Sequence, residues 1–226
     1  MFTGKQALLL DMNSTFMFGE DRFGEDEDFS AHYYKLGGGL ARNEVNGLIR
    51  TAYHYLDSRY PNVTYRDRFP SVASAIQAVS EFQIDRAEMD RLVDTFAHHE
   101  LGHIPGEYID TLHKLHKRFR LALVIDIWSP KTAWLETFEQ AGINKLFCAA
   151  SFSSDHGVVK PSPKPFERVL TQLGITKAQA IVIGDSPRRD LGGAQNAGID
   201  CILVGGKVHP QALQCFTSLI ELCQSI

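Results

Sequence analysis

Short apolar runs recur along this chain, separated by longer segments with helical periodicity. The runs are Ala7–Leu10, Leu121–Ile127, Ala180–Ile183 and Cys201–Val204, each bounded by charged residues or glycine. Strands that are apolar on both faces are typical of parallel sheets covered by helices on either side. The pattern therefore predicts an α/β fold, with a Rossmann-like parallel sheet flanked by helices.

Apolar residues recur at helical spacing between these runs. After the second run we expect helices over Lys131–Ala141, Pro165–Leu173 and Leu191–Ala197, and before it one over Glu107–Phe119.

Residues 18–102 carry helical patterns at Arg42–Arg59, Val72–Phe82 and Asp85–Glu100 but no strand-like run. This difference predicts an all-helical cap domain (18–102) inserted into an α/β core domain formed by residues 1–17 and 103–226. The acidic start of the insertion, Glu20–Asp28, is interpreted as a solvated loop rather than a metal site.

Composition narrows the classes of function. The chain has 226 residues, 44% of them hydrophobic, and a formal net charge of −4, which argues against a nucleic-acid binder. The apolar run before Asp11 is too short for a signal-peptide core or a membrane span, so we expect a cytoplasmic protein without a membrane partner. Four cysteines without a CxxC pair favour free thiols, with Cys201 buried.

Three segments carry candidate chemistry. Asp11 follows the first apolar run, and Gly184-Asp185, with Asp190 five residues after Asp185, follows the third. Ligands of open α/β sheets bind beyond the carboxyl ends of the strands, and carboxylates there suit Mg²⁺. Lys160, next to Pro161, is a cation able to hold a phosphate or balance crowded carboxylates.

In order and spacing these segments resemble the haloacid dehalogenase-like superfamily. Its signature is DxDxT, a strand ending in Ser or Thr, Lys-Pro, and GDxxxxD. The correspondents are Asp11-Met12-Asn13-Ser14-Thr15, Leu121–Ser129, Lys160-Pro161, and Gly184-Asp185 with Asp190. The resemblance extends over essentially the whole chain, with the helical insertion in the place of the family's cap.

The resemblance implies roles for individual residues. Asp11 would be the nucleophile, with Lys160 neutralising the phosphoryl oxygens and Asp190 orienting Lys160 or a metal-bound water. Asp11, Asp185 and the main-chain carbonyl of Asn13 would bind Mg²⁺. Catalytic residues are thus expected at Asp11, Asn13, Lys160 and Asp190, and substrate-binding residues at Thr15, Ser129 and Lys160.

The sequence departs from the family pattern at two places. Asn13 replaces the aspartate that serves as general acid and base, a role worth roughly 10²–10⁴-fold in rate. In the second strand, Asp126 (or Ile125, if the alignment shifts by one residue) replaces the phosphate-binding Ser or Thr, and an ionised Asp126 would repel phosphate. Ser129 is either a substitute donor or a helix N-cap before Pro130, and we favour the N-cap.

The resemblance implies a Mg²⁺-dependent hydrolase of small phosphomonoesters, its turnover impaired or atypical because of Asn13 and Asp126. Its ligand would be a small phosphorylated metabolite, and its state a monomer or a homodimer. Two alternatives stay open. One is a 2-haloacid dehalogenase, in which Asp11 attacks carbon, and the other is a non-catalytic phosphate-ligand binding protein on the same fold.

Overall fold

A single parallel sheet organises the protein, whose computed structural model describes residues 2–226. The strands are β1 (Ala7–Leu10), β2 (Arg120–Ile125), β3 (Phe147–Phe152), β4 (Ala180–Gly184), β5 (Asp200–Leu203) and β6 (Gln214–Cys215). They lie in the order β3-β2-β1-β4-β5-β6, and every neighbouring pair is parallel. The expected α/β fold is confirmed.

Each face of the sheet is covered by helices, which is why the central strands are apolar throughout. Leu8 and Leu10 of β1 pack on one side, against α5 (Gly106–His116), α6 (Thr132–Gln140) and α10 (Leu219–Gln224). Ala7 and Leu9 pack on the other, against α8 (Lys164–Leu173) and α9 (Gly192–Ala197). Alternation of side chains along a strand thus gives both faces a buried core.

The segment between β1 and β2 is helical. It contains α1 (Ser30–Lys35), α2 (Arg42–Asp57), α3 (Val72–Val79) and α4 (Arg86–Glu100). Most of its buried apolar side chains, together with Val159 from outside the segment, form a hydrophobic cluster distinct from the two clusters beside the sheet. We call residues 18–102 the cap segment. The division into a core domain (1–17 and 103–226) and a cap domain stays a prediction.

One expectation about β2 needs correction, and one element beside it was not predicted. The predicted strand Leu121–Ile127 ends at Ile125, because the Ile127 N–H donates to the Ser153 Oγ at 3.0 Å and the Ser153 hydroxyl donates back to the Ile127 carbonyl at 2.7 Å. Ser153 opens the short helix α7 (Ser153–His156), which the sequence did not predict.

Among residues 2–226, no helix is both long and apolar enough to cross a bilayer.

Candidate active site

The site lies where the strand order reverses, between β1 and β4. Leu10 pairs with Ile183 in the sheet, so Asp11 and Asp185 follow neighbouring strands at the same edge. The Asp11 N–H continues the ladder by donating to the Ile183 carbonyl at 2.8 Å. Ligands bind at such switch points because the loops after the two strands diverge and leave a crevice.

Lys160 joins two carboxylates beneath this crevice. Its Nζ lies 2.6 Å from Asp11 Oδ1 and 2.7 Å from Asp190 Oδ1, and the lysine side chain is 2% exposed. Burial opposes its charged form, but the two carboxylates raise the pKa of Lys160 well above its usual value. Burial and Asp190 raise the pKa of Asp11 to about 7, while Lys160 lowers it. The two carboxylates therefore favour the charged form of Lys160, which in turn favours the ionised form of Asp11.

The glycine before Asp185 makes room for Asp190. A Cβ at Gly184 would collide with the Asp190 carboxyl group. Asp190 lies on a π-helical turn (Pro187–Leu191), and its Oδ2 accepts from the Ser186 N–H at 2.9 Å. The absence of a side chain at Gly184 thus allows Asp190, buried to 1% exposure, to reach Lys160.

Oxygen ligands for a hard cation converge at this place. A carboxylate oxygen from each of Asp11, Asp185 and Asp190 lies within 4.8 Å of the others, and all three residues are buried. The Asp185 carboxylate also accepts from Lys207 Nζ at 2.8 Å, on a side chain that is 52% exposed. The donor set fits Mg²⁺, which prefers carboxylates and carbonyls.

A cavity of about 80 Å³ opens above these carboxylates, between the sheet edge and the cap segment. Of the predicted site residues, Asp11, Asn13, Lys160 and Asp185 line it. Asp190 lies behind Lys160. Thr15 and Ser129 are buried outside the lining, and neither hydroxyl has a hydrogen-bond partner among residues 2–226. Their role in substrate binding stays a prediction that this geometry does not support.

Ser129 is not the N-cap of the next helix. The helix α6 begins at Thr132, and the residue before it is Lys131, so Pro130 does not open the helix directly after Ser129. The Ser129 N–H instead donates to Glu100 Oε2 at 2.9 Å. This bond ties the loop after β2 to the end of α4. The favoured N-cap interpretation was wrong because α6 begins three residues after Ser129.

Asp126 lies directly after β2 and lines the cavity. Its Oδ2 accepts from the Tyr60 hydroxyl at 2.7 Å and from the Lys160 N–H at 2.9 Å. Burial raises the pKa of Asp126, although Lys160 and the bond from Tyr60 oppose the shift. Asp126 is thus held by a cap residue and by the lysine loop, an arrangement that the sequence did not reveal.

Several lining residues were missed by the sequence argument, namely Ser14, Glu20, Asp21, Tyr60, Glu100, Trp128 and Arg189. Glu20 and Asp21 belong to the acidic segment interpreted as a solvated loop, so its first two residues face the site. Glu100 binds the main-chain N–H groups of Trp128 and Ser129, and burial raises its pKa to about 7. Ser14, Trp128 and Arg189 had a signal, since each stands inside one of the motif segments.

With this geometry in place, sequence comparison decides the family. A sequence model of haloacid dehalogenase-like hydrolases matches residues 58–204, well over half of the chain. The chain belongs to the haloacid dehalogenase-like hydrolase family. The matched range includes Lys160, Asp185 and Asp190, whereas Asp11 lies before it.

Two proteins with assigned activities resemble the chain over different lengths. The pyrophosphatase PpaX of Halalkalibacterium halodurans is 27% identical over 169 residues, which cover 71% of this chain and 77% of that protein. The phosphoglycolate phosphatase of Aliivibrio fischeri is 33% identical over 101 residues, which cover 44% of this chain and 43% of that protein. Phosphatases are thus among its relatives in sequence.

Solved structures of the family share the fold along nearly the whole chain. A 2-haloacid dehalogenase from Pseudomonas syringae matches with a TM-score of 0.65 and 20% identity, covering 97% of both chains. A HAD phosphatase from Thermococcus onnurineus matches with a TM-score of 0.64, 20% identity and the same coverage. Since a dehalogenase and a phosphatase fit about equally well, the fold alone does not choose between the two reactions.

Proposed function

We propose that this hydrolase removes phosphate from small phosphomonoesters in a Mg²⁺-dependent reaction, with Asp11 as the nucleophile. The observation that carries the proposal is the buried Asp11–Lys160–Asp190 arrangement beside Asp185. It combines an attacking carboxylate, a cation for phosphoryl oxygens and further carboxylates for a divalent ion. The cavity of about 80 Å³ supports a small substrate.

The chemistry needs two displacements at phosphorus. In the first, an Asp11 oxygen forms a bond to phosphorus while the bond from phosphorus to the leaving oxygen breaks, and the leaving oxygen keeps the electron pair and takes a proton from solvent. In the second, a water oxygen attacks the aspartyl-phosphate, the bond from Asp11 to phosphorus breaks, and the water proton goes to solvent. The products are an alcohol, inorganic phosphate and the regenerated Asp11 carboxylate.

Lys160 and its partners would position the phosphoryl group. An ammonium group has three donors, of which Asp11 and Asp190 accept two, so one remains for a phosphoryl oxygen. Asp190 would keep Lys160 in place. Mg²⁺, held by Asp11, Asp185 and the Asn13 carbonyl, would supply further charge stabilisation to the phosphoryl oxygens when bound.

The two alternatives fare differently. A carboxylate attacking carbon has no need of the second carboxylate at Asp185, so the acidic cluster disfavours a 2-haloacid dehalogenase. A non-catalytic phosphate-binding protein is favoured by two observations, Asn13 in the place of a general acid and Asp126 in the place of a hydroxyl. It is therefore the second candidate function.

A phosphate-release screen over small phosphomonoesters, with and without Mg²⁺, tests the proposal. Release should require Mg²⁺ and should disappear in Asp11→Asn, whereas Asp155→Asn, at an exposed ion pair with Lys131, should behave as wild type. Release that persists in Asp11→Asn would contradict the nucleophile assignment. Halide release from 2-haloacids without phosphate release would instead favour the dehalogenase.

Asn13 allows a sharper test, based on the leaving group. An alkyl phosphate expels a basic alkoxide that needs a proton, whereas an aryl or acyl phosphate expels a weakly basic group that departs without one. We expect the wild type to prefer activated phosphates and Asn13→Asp to accelerate the alkyl class selectively, by about 10²-fold or more.

Steady-state rates for both substrate classes, measured on both proteins, decide the matter. Equal acceleration of the alkyl and aryl classes would refute a general-acid role at position 13. Phosphate binding without turnover of either class, even in Asn13→Asp, would favour the binding-protein candidate.

A further inference from the structure

Arg189 has a place in the active-site cavity that the mechanism above does not use. It lies on the π-helical turn between Asp185 and Asp190, is half-buried, and lines the same cavity as Asp11 and Lys160. Lys160 and Arg189 are the two cationic side chains among the described residues that line this cavity. A partly buried cation in this position needs groups that balance its charge.

The two cations differ in how their charge is balanced. Lys160 is bound by two carboxylates, at 2.6 and 2.7 Å. Arg189 forms no ion pair with any carboxylate of residues 2–226. Its guanidinium instead lies over the ring of Tyr60, with Cζ 5.1 Å from the ring centroid. Burial opposes its charge, but Tyr60, Asp190 and other nearby acidic groups raise the pKa of Arg189.

A tetrahedral phosphoryl group bound to Asp11 would need more donors than Lys160 can offer. One N–H of the Lys160 ammonium group remains to donate to a phosphoryl oxygen, and a bound metal ion would interact with a second phosphoryl oxygen. Where the family provides a hydroxyl after β2, this chain presents Asp126, which accepts hydrogen bonds from Tyr60 and from Lys160 N–H and donates none when ionised. A phosphoryl oxygen is therefore left without a donor from that strand.

We propose that Arg189 binds the phosphoryl oxygens of the substrate and thereby replaces the hydroxyl that Asp126 displaces. The inference rests on the proposed function and specifies its phosphate subsite. A guanidinium presents two parallel N–H groups that match two phosphate oxygens, so it suits this task better than an ammonium group does. The Arg189 guanidinium lies over the Tyr60 ring, and the Tyr60 hydroxyl donates to Asp126, so the cap segment helps to form the subsite.

The neighbouring Arg188 provides a matched control. Its Nη1 donates to the Pro61 carbonyl at 3.3 Å, its side chain is exposed, and it does not line the cavity. Arg188→Met and Arg189→Met therefore remove the same charge one residue apart, on the same turn. Only the second removes it from the cavity.

The experiment measures the binding of inorganic phosphate by calorimetry, in the presence of Mg²⁺, so that it does not depend on turnover. The dissociation constant should rise by roughly 10- to 100-fold in Arg189→Met, since a hydrogen-bonded charge is lost. It should rise less in Arg189→Lys, which keeps the charge but not the paired donors. It should stay within about twofold of wild type in Arg188→Met. Thermal unfolding of each variant verifies that it folds.

Unchanged phosphate affinity in folded Arg189→Met, or an equal loss in Arg188→Met, would overturn the assignment, as would a wild-type protein that does not bind phosphate. If Arg189→Met does not fold, Arg189→Lys carries the test, and an affinity equal to wild type would count against the paired-donor contact. If Arg189→Met hydrolyses phosphomonoesters and its phosphate affinity is unchanged, the proposed function holds but Arg189 is not part of the phosphate subsite. Arg189-dependent binding without hydrolysis would support the subsite on a protein that does not turn over.

Discussion

Replacing Lys160 by methionine tests the central electrostatic feature of the site. Methionine preserves much of the side-chain volume and removes the ammonium group that lies between Asp11 and Asp190. Both carboxylates are buried, at 8% and 1% exposure, and would then face each other without a cation. Removing one partner of a buried ion pair costs about 3–5 kcal/mol, because the remaining charge is left uncompensated.

The pH dependence of this loss follows from the carboxylates. Without Lys160 the pKa of Asp11, already raised to about 7 by burial and Asp190, must rise further. The folded variant then binds more protons than the unfolded chain, so its stability falls as pH increases. We expect the destabilisation to be largest near pH 8 and smaller near pH 5, where protonation relieves the repulsion.

Urea denaturation at both pH values measures the effect. Lys131→Met is the matched control, because Lys131 pairs with Asp155 at 2.6 Å but both side chains are exposed, at 38% and 44%, and such pairs contribute about 0–1 kcal/mol. Adding Asp190→Asn to Lys160→Met should recover part of the loss. A loss no larger than that of Lys131→Met, or equal at pH 5 and pH 8, would refute the reasoning.

Three further predictions concern other parts of the site. Asp185→Asn should weaken Mg²⁺ binding at least tenfold by calorimetry, and unchanged binding would contradict its role as a ligand. Gly184→Ala should cost about 1–3 kcal/mol in urea denaturation through its clash with Asp190, whereas Gly106→Ala, in open space, should cost little. Burial raises the pKa of Glu100 from 4.5 to about 7, so the folded protein binds this proton more tightly than the unfolded chain does. Deprotonation of Glu100 should therefore lower the free energy of unfolding by roughly 3 kcal/mol as pH rises through this window. This component should be absent from the denaturation profile of Glu100→Gln, and an unchanged profile would count against it.

The strands that the sequence predicted are those whose apolar runs are buried on both faces of the sheet. β1 and β4 are central strands with every residue buried, so their apolar runs match the observed strands to within one residue. β3 was missed because it lies at the edge of the sheet, where Cys148 is exposed and Phe147 and Ala150 are only partly buried. An edge strand lacks the continuous apolar run on which the prediction depended.

The same contrast holds for the site. Asp11 and Asp185 directly follow buried strands, so their meeting at one edge follows from parallel pairing. Tyr60 and Glu100 come from the cap segment, where the helical pattern indicates which side chains are buried within the segment but not how it docks on the sheet. Their contacts with Asp126 and with the loop after β2 depend on that docking, which no local pattern records.

The effect of Asp126, which departs from the family pattern, depends on the residues that contact it. Taken alone, an acidic residue in the place of a phosphate-binding hydroxyl argues against phosphate. In the structure its Oδ2 accepts from the Tyr60 hydroxyl and the Lys160 N–H, and Arg189 lies over the same tyrosine. The charge of Asp126 is therefore partly balanced, and the same cavity contains Arg189, a cation without a carboxylate partner in the described part of the chain. The substitution belongs to a set of contacts among Asp126, Tyr60 and Arg189, which supports our proposal that the phosphate subsite is rearranged rather than removed.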